Sequence, residues 1–190
     1  MRLELTSGFL FFLALLAQLD SFGVFWPYLA AAAGHEAAHA AAVLLCGGRI
    51  TRVRLGFGDV QMAATPLGDR ALFFCAAAGP VYNLLCALTL GRRLPAFAAV
   101  SLLLGLYNLL PLAQLDGGTL LRLALCRLFP THGAQAAQWV STGCLALLLV
   151  LAAQVSLVQQ GGLFPLFAAL LLAVRALPQR RGVAFLPHNG

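Results

Sequence analysis

Gly34-His35-Glu36-Ala37-Ala38-His39 is the stretch on which the reading of this chain turns, and it lies inside a long apolar run from Phe22 to Cys46. Residues four apart stand one turn apart on the same helix face, so the imidazoles of His35 and His39 can reach one cation. Zinc takes such ligands readily. Glu36, beside the first imidazole, is placed to hold a water at that cation and to take its proton. It is one of two glutamates in the chain, and its surroundings are almost all Ala, Val, Leu and Phe. An ionisable side chain at membrane depth costs roughly 2.5–3.5 kcal/mol on insertion scales, so its presence there needs a reason. On these residues alone, a chance match of the tetrad, a structural zinc site and a metal-transport site are the alternatives to catalysis.

Composition sets the solvent. The 190 residues are 61% hydrophobic and 9% charged, with a mean hydropathy of +0.89. Soluble domains carry about 25% charged residues, so this chain lacks the polar surface to coat a globule in water. The expected fold is an all-α polytopic membrane protein, one integral membrane domain over 1–190. About six transmembrane helices and a small β-hairpin after the second are expected. The net charge is +6, and all twelve basic residues are arginine. They are scattered between apolar spans rather than striped on one face. That pattern points to orientation and contact with the lipid bilayer, and away from nucleic acid. The five cysteines form no CxxC pair and read as small buried hydrophobes. Gln18-Leu19-Asp20 follows the first apolar stretch in place of a small-residue cleavage site, so an uncleaved first span is expected.

In chain order, the first span is expected from Leu5 to Leu19, with a tight turn at Asp20-Ser21. The second, Phe22 to Cys46, carries the histidine motif and ends at Gly47-Gly48, a frequent helix stop. From Arg52 to Phe57 the pattern alternates with period two, which predicts a ribbon of strand over about Arg49 to Met62. The third span, Ala71 to Leu90, holds Gly79-Pro80 and Asn83 at mid-depth. Proline there frees a carbonyl, and an asparagine in lipid must face protein. The fourth starts near Leu94 and runs into Asn108-Leu109-Leu110-Pro111, where the helix should break. Asp116-Gly117-Gly118 follows, and Asp116 is the last acidic residue of the chain. An amphipathic helix is expected over Thr119 to Phe129. A fifth span is expected from about Trp139 to Leu157, a sixth from Leu163 to Leu177, and a basic tail over 178–190.

With the N-terminus inside, every arginine except Arg92 and Arg93 falls on the cytoplasmic side. The positive-inside rule therefore predicts a multi-pass protein of the cell membrane with both termini cytoplasmic. His39 then lies roughly 9 Å from the cytoplasmic end of its span. Asp116 falls at the cytoplasmic end of the fourth, so two spans of opposite sense carry the imidazoles and a carboxylate to similar depth.

These residues resemble the site-2 protease family of intramembrane zinc metalloproteases. The HEAAH tetrad at His35–His39 resembles its HExxH helix. The run from Asn108 to Gly117 resembles its second motif, and Gly79-Pro80 with Asn83 resembles its middle-helix signature. The likeness spans about 22–125, with helices over about 134–177 beyond it. The compact layout looks most like the sporulation branch, whose members process a pro-sigma factor. Ala37 stands where a larger aliphatic residue is usual, and Gln114 where a proline is common. The resemblance implies one zinc ion held by His35, His39 and Asp116, with Glu36 as the catalytic acid and base. It further implies a membrane-embedded or membrane-tethered protein substrate, with a regulatory membrane partner as a further expectation. Asn83 and Asn108 are the candidates for holding substrate backbone or an oxyanion. A metal transporter and a zinc-binding relative without proteolysis are the alternatives. A transporter should carry polar groups on both sides of the midplane, whereas here they gather on one.

Overall fold

The computed structural model describes residues 2–18, 20, 23–57 and 59–158. The expected sixth span and the basic tail lie outside the described residues. The described residues up to Asn108 form one compact unit, and those from Leu109 onward form a second.

The first unit opens on a strand, β1 (Arg2–Leu5), followed by a helix, α1 (Ser7–Gln18). Thr6 joins them. Its hydroxyl donates to the Leu55 carbonyl at 2.8 Å and accepts the Phe9 N–H at 3.3 Å, so it both extends the sheet and caps α1. Next comes the histidine-bearing helix, α2 (Phe25–Leu45). The Asp20 carboxylate caps its start, accepting the N–H groups of Val24 and Phe25 at 2.8 and 3.0 Å. Its end is a Schellman motif. Gly47 takes φ +78°, its N–H reaches the Leu44 carbonyl at 3.0 Å, and the Gly48 N–H reaches Val43 at 2.9 Å.

That sharp stop feeds the chain directly into β2 (Ile50–Gly56) and β3 (Asp59–Ala64). The expected hairpin is there, but it is part of a three-stranded sheet in the order β1-β2-β3, with β1 parallel to β2 and β3 antiparallel to it. The expectation placed Leu5 in the first helix; Arg-Leu-Glu-Leu instead pairs residue by residue with Arg52–Leu55. Parallel pairing puts Arg2 beside Arg52 and Glu4 beside Arg54 on one face, and Glu4 reaches Arg52 at 3.4 Å. The phenyl ring of Phe57 packs edge-on against Phe12 at 5.3 Å, which ties α1 to the sheet.

Helices α3 (Asp69–Leu90) and α4 (Pro95–Asn108) complete the unit, and α2, α3 and α4 pack on one another. The faces that meet are small. Buried positions are Ala31, His35 and Val43 on α2, Leu72, Cys75, Ala76, Gly79, Pro80 and Asn83 on α3, and Ala98, Ser101 and Gly105 on α4, small residues but for Leu72, Val43, His35 and Asn83. Each set recurs every three or four residues, as a helix contact stripe must. Small residues let backbones approach where lipid tails leave no hydrophobic drive between helices. The large apolar side chains point outward: Leu88 is 82% exposed and Trp26 75%. Such surface belongs against hydrocarbon rather than water.

The second unit holds α5 (Asp116–Leu128) and α6 (Gly133–Val158), packed against each other across a short turn. Among the described residues, two helices are long and apolar enough to cross a membrane, Asp69–Leu90 and Gly133–Leu157. The expectation of about six spans is thus met in part. There are six helices among the described residues, but α1 and α4 are short, at 12 and 14 residues. Fourteen residues rise roughly 21 Å, against about 30 Å of hydrocarbon. The break expected at Asn108-Leu109-Leu110-Pro111 is there, since α4 stops at Asn108, ahead of Pro111; Asp116 opens α5 rather than closing the fourth span.

Candidate metal centre

His35 and His39 face α3. Their Nε2 atoms lie 3.0 Å apart, and the rings meet edge to face with centroids 4.7 Å apart. His35 is buried and His39 half-buried. Each ring is held from behind through its other nitrogen. His39 Nδ1 lies 2.6 Å from the Cys75 carbonyl oxygen, which can only accept. His39 Nδ1 therefore carries the proton, and its Nε2 carries a lone pair. His35 Nδ1 lies 3.1 Å from the side-chain amide of Asn83, which is fully buried. A carboxamide can donate to that nitrogen or, turned over, accept from it.

This arrangement fits a zinc ion. A metal-bound histidine usually gives its second N–H to a carbonyl or carboxylate; the Cys75 carbonyl is that partner for His39, and the Asn83 carboxamide becomes one for His35 when turned so that its oxygen faces Nδ1. Two imidazole nitrogens at about 2.0–2.1 Å on a tetrahedral zinc stand roughly 3.3 Å from each other, close to the observed 3.0 Å. The floor of the site is Gly79. A Cβ added there would fall on the Nε2 atoms of both imidazoles, so only a residue without a side chain lets α3 pass this close. Gly34, in the motif itself, plays the same part on the other flank, where a Cβ would strike the Tyr82 ring.

Glu36 follows His35 on α2 and is half-buried. Asn108 is the last residue of α4, and its amide donates to the Leu104 carbonyl at 3.0 Å, one turn back on its own helix. Asn83, expected to hold substrate or an oxyanion, is engaged with the His35 ring, which is a positioning contact. In the second unit, Asp116 is the first residue of α5, and Leu115 before it is extended. Gly117 and Gly118 press against the backbone of Leu109, Leu110 and Leu112, leaving no room for a Cβ at either. That contact fixes the turn from which Asp116 projects. The motif reading missed the Cys75 carbonyl, because a backbone acceptor has no residue-type signature. Pro80 signals a freed carbonyl at Ala76 by the usual helix spacing, whereas the one that takes the imidazole proton belongs to Cys75.

One helix offers paired imidazoles to a glycine floor and hands on at once to a small sheet, an arrangement that suits a single zinc ion. The comparisons with known proteins agree. The model of Peptidase family M50 matches residues 90–151. That stretch contains Asp116 and leaves out the His35–His39 motif, so the two observations are independent. The chain is 40% identical over 120 residues to "Putative zinc metalloprotease Rip3" of Mycobacterium tuberculosis, in strains Erdman and H37Rv alike, covering 52% of this chain and 30% of that protein. The chain thus spans about a third of the length of these curated relatives. The fold is similar to that of the site-2 protease from Methanocaldococcus jannaschii, with a TM-score of 0.69 at 18% identity, covering 99% of this chain and 94% of that one. The resemblance to the site-2 proteases of Peptidase family M50, read from the motifs, is borne out.

Proposed function

We propose that the protein is a zinc-dependent intramembrane endopeptidase that cuts a membrane-embedded or membrane-tethered protein near the cytoplasmic face. The observation that carries this reading is the pair of imidazoles with facing Nε2 atoms, each braced at Nδ1. The proposed donors to a single zinc ion are His35, His39 and Asp116, one buried and two half-buried. Three protein ligands leave one position open for chemistry. Bound there, zinc supplies Lewis acidity to the scissile carbonyl and makes water nucleophilic near neutral pH.

The chain's own residues do the rest. Glu36 accepts the proton of the attacking water and returns it to the leaving amine nitrogen. Asn83 holds the His35 ring in the orientation that presents Nε2. Peptide bonds within a helix are already paired, so a substrate must unwind before attack. The proposed place for the extended segment is the outer side of β3, an end strand of the sheet among the described residues, where added main-chain hydrogen bonds would hold it. Pro-sigma and anti-sigma factors are the first substrate classes to screen, on the likeness to the compact branch of the family. Both termini are proposed to be cytoplasmic, on the arginine distribution.

The test is co-expression with candidate single-span substrates, comparing wild type with Glu36→Gln, alongside zinc analysis of both purified proteins. Glu36→Gln should abolish cleavage and keep about one zinc per chain. Zinc-dependent ion flux in vesicles, with no cleavage of any substrate, would replace the protease by a transporter.

A further inference from the structure

The second unit contains a cavity, lined by both polar and apolar groups, that the proposed peptidase chemistry does not use. It measures about 50 Å³ and lies between α5 and α6, lined in part by Gly118, Thr119, Arg122, Ala137, Gln138 and Ser141. Thr119 and Arg122 are one turn apart on α5, and Gln138 and Ser141 one turn apart on α6, so two polar faces look at each other. The small residues between them, Gly118 and Ala137, leave the space unfilled. By occupied volume it has room for about four waters, or for one phosphate group in their place.

We infer that this cavity binds a phosphate-type oxyanion, with Arg122 as its principal anchor. The first ground is charge. Leu109–Gly182 contain one carboxylate, Asp116. Arg122 stands six positions further along α5, which leaves the two side chains about 120° apart round the axis and on different faces. The unit therefore gives this half-buried cation no counter-ion of its own.

The second ground is donor supply. The Thr119 hydroxyl reaches the Leu115 carbonyl only at 3.5 Å, too long to hold it. Ser141 Oγ accepts the Ala113 N–H at 2.8 Å, which leaves its own proton to give. The Gln138 amide adds two N–H donors. A planar guanidinium with neutral donors around it suits a tetrahedral oxyanion better than a lone cation would.

The third ground is depth. The α6 part of the lining falls in the first turns of a candidate membrane span. Trp139, next to Gln138, is 69% exposed there, and exposed tryptophan marks the headgroup level. A lipid phosphate is the ligand available at that level, and soluble inorganic phosphate shares its chemistry.

The experiment uses the full chain purified in detergent and stripped of lipid. Its arms are phosphatidylglycerol, phosphatidylcholine and inorganic phosphate, read by native mass spectrometry and by thermal shift. Arg127→Gln is the control, since it removes the same charge from the same helix outside the cavity. Wild type and Arg127→Gln should bind one added phosphatidylglycerol, and Arg122→Gln should bind about tenfold more weakly or worse. Thr119→Val should weaken binding less than Arg122→Gln does. A thermal shift with inorganic phosphate alone, lost in Arg122→Gln, would support the site with a soluble ligand as its occupant. Equal losses in Arg122→Gln and Arg127→Gln would mean a diffuse basic surface and would overturn the inference. So would no Arg122-dependent binding in any arm.

Discussion

Replacing Gly79 by alanine should separate metal binding from helix stability. An alanine in a helix interior is worth about 1 kcal/mol over glycine, so the substitution should stabilise α3 if nothing stood in its way. The added methyl group, however, falls on the Nε2 atoms of both imidazoles. Neither ring can swing aside cheaply, since His39 would give up the Cys75 carbonyl and His35 the Asn83 amide. Moving α3 instead would unpack its stripe of small residues against α2, and overpacking of this kind costs about 1–3 kcal/mol. The clash therefore meets or exceeds the propensity gain, and it bears directly on the atoms that present the lone pairs. Zinc affinity should fall about 10- to 100-fold, the range for disturbing the shell that orients metal-bound histidines. The assay is competition for zinc with a chelator of graded strength, with the melting temperature of the zinc-free protein measured in parallel. Gly143→Ala serves as control, since a Cβ there meets nothing within 4 Å. Unchanged zinc affinity with a raised melting temperature in Gly79→Ala would refute the reasoning, because the imidazoles could not then lie over Gly79.

Other outcomes follow from the same geometry. Asn83→Ala should weaken zinc binding about 10- to 100-fold, and Asn83→Asp should restore much of it, because a carboxylate accepts the His35 Nδ1 proton; equilibrium zinc titration reads both. Gly47→Ala forces a side chain to φ +78° and should cost about 1–2 kcal/mol, seen in the thermal midpoint with zinc content unchanged. Proline at Gln61 or at Met62 should slow substrate cleavage while zinc stays bound, because one of the two removes an outward N–H from the β3 edge. Equal cleavage by both variants and wild type would remove the strand-addition step.

Much of this was legible in the residues themselves. The hydropathy predicted helices apolar enough to cross a membrane, of which two stand among the described residues, and the four-residue spacing of His35 and His39 put both imidazoles on one face of α2. The period-two alternation after Gly47-Gly48 gave the ribbon that became β2 and β3. These signals are local, carried by neighbours within a turn or a pleat, so a single sequence suffices to read them. The strand β1 was hidden because its four residues run straight into an apolar helix, and a parallel partner leaves no turn signal between them. Tertiary structure alone decided what stands behind each imidazole. Cys75 lies 36 residues beyond His39, and Asn83 48 residues beyond His35. Only the packing of α3 on α2 over Gly79 brings them there. Residue type can nominate a ligand, but the direction of its lone pair is set by what touches the far side of the ring, and chain distance carries no information about that.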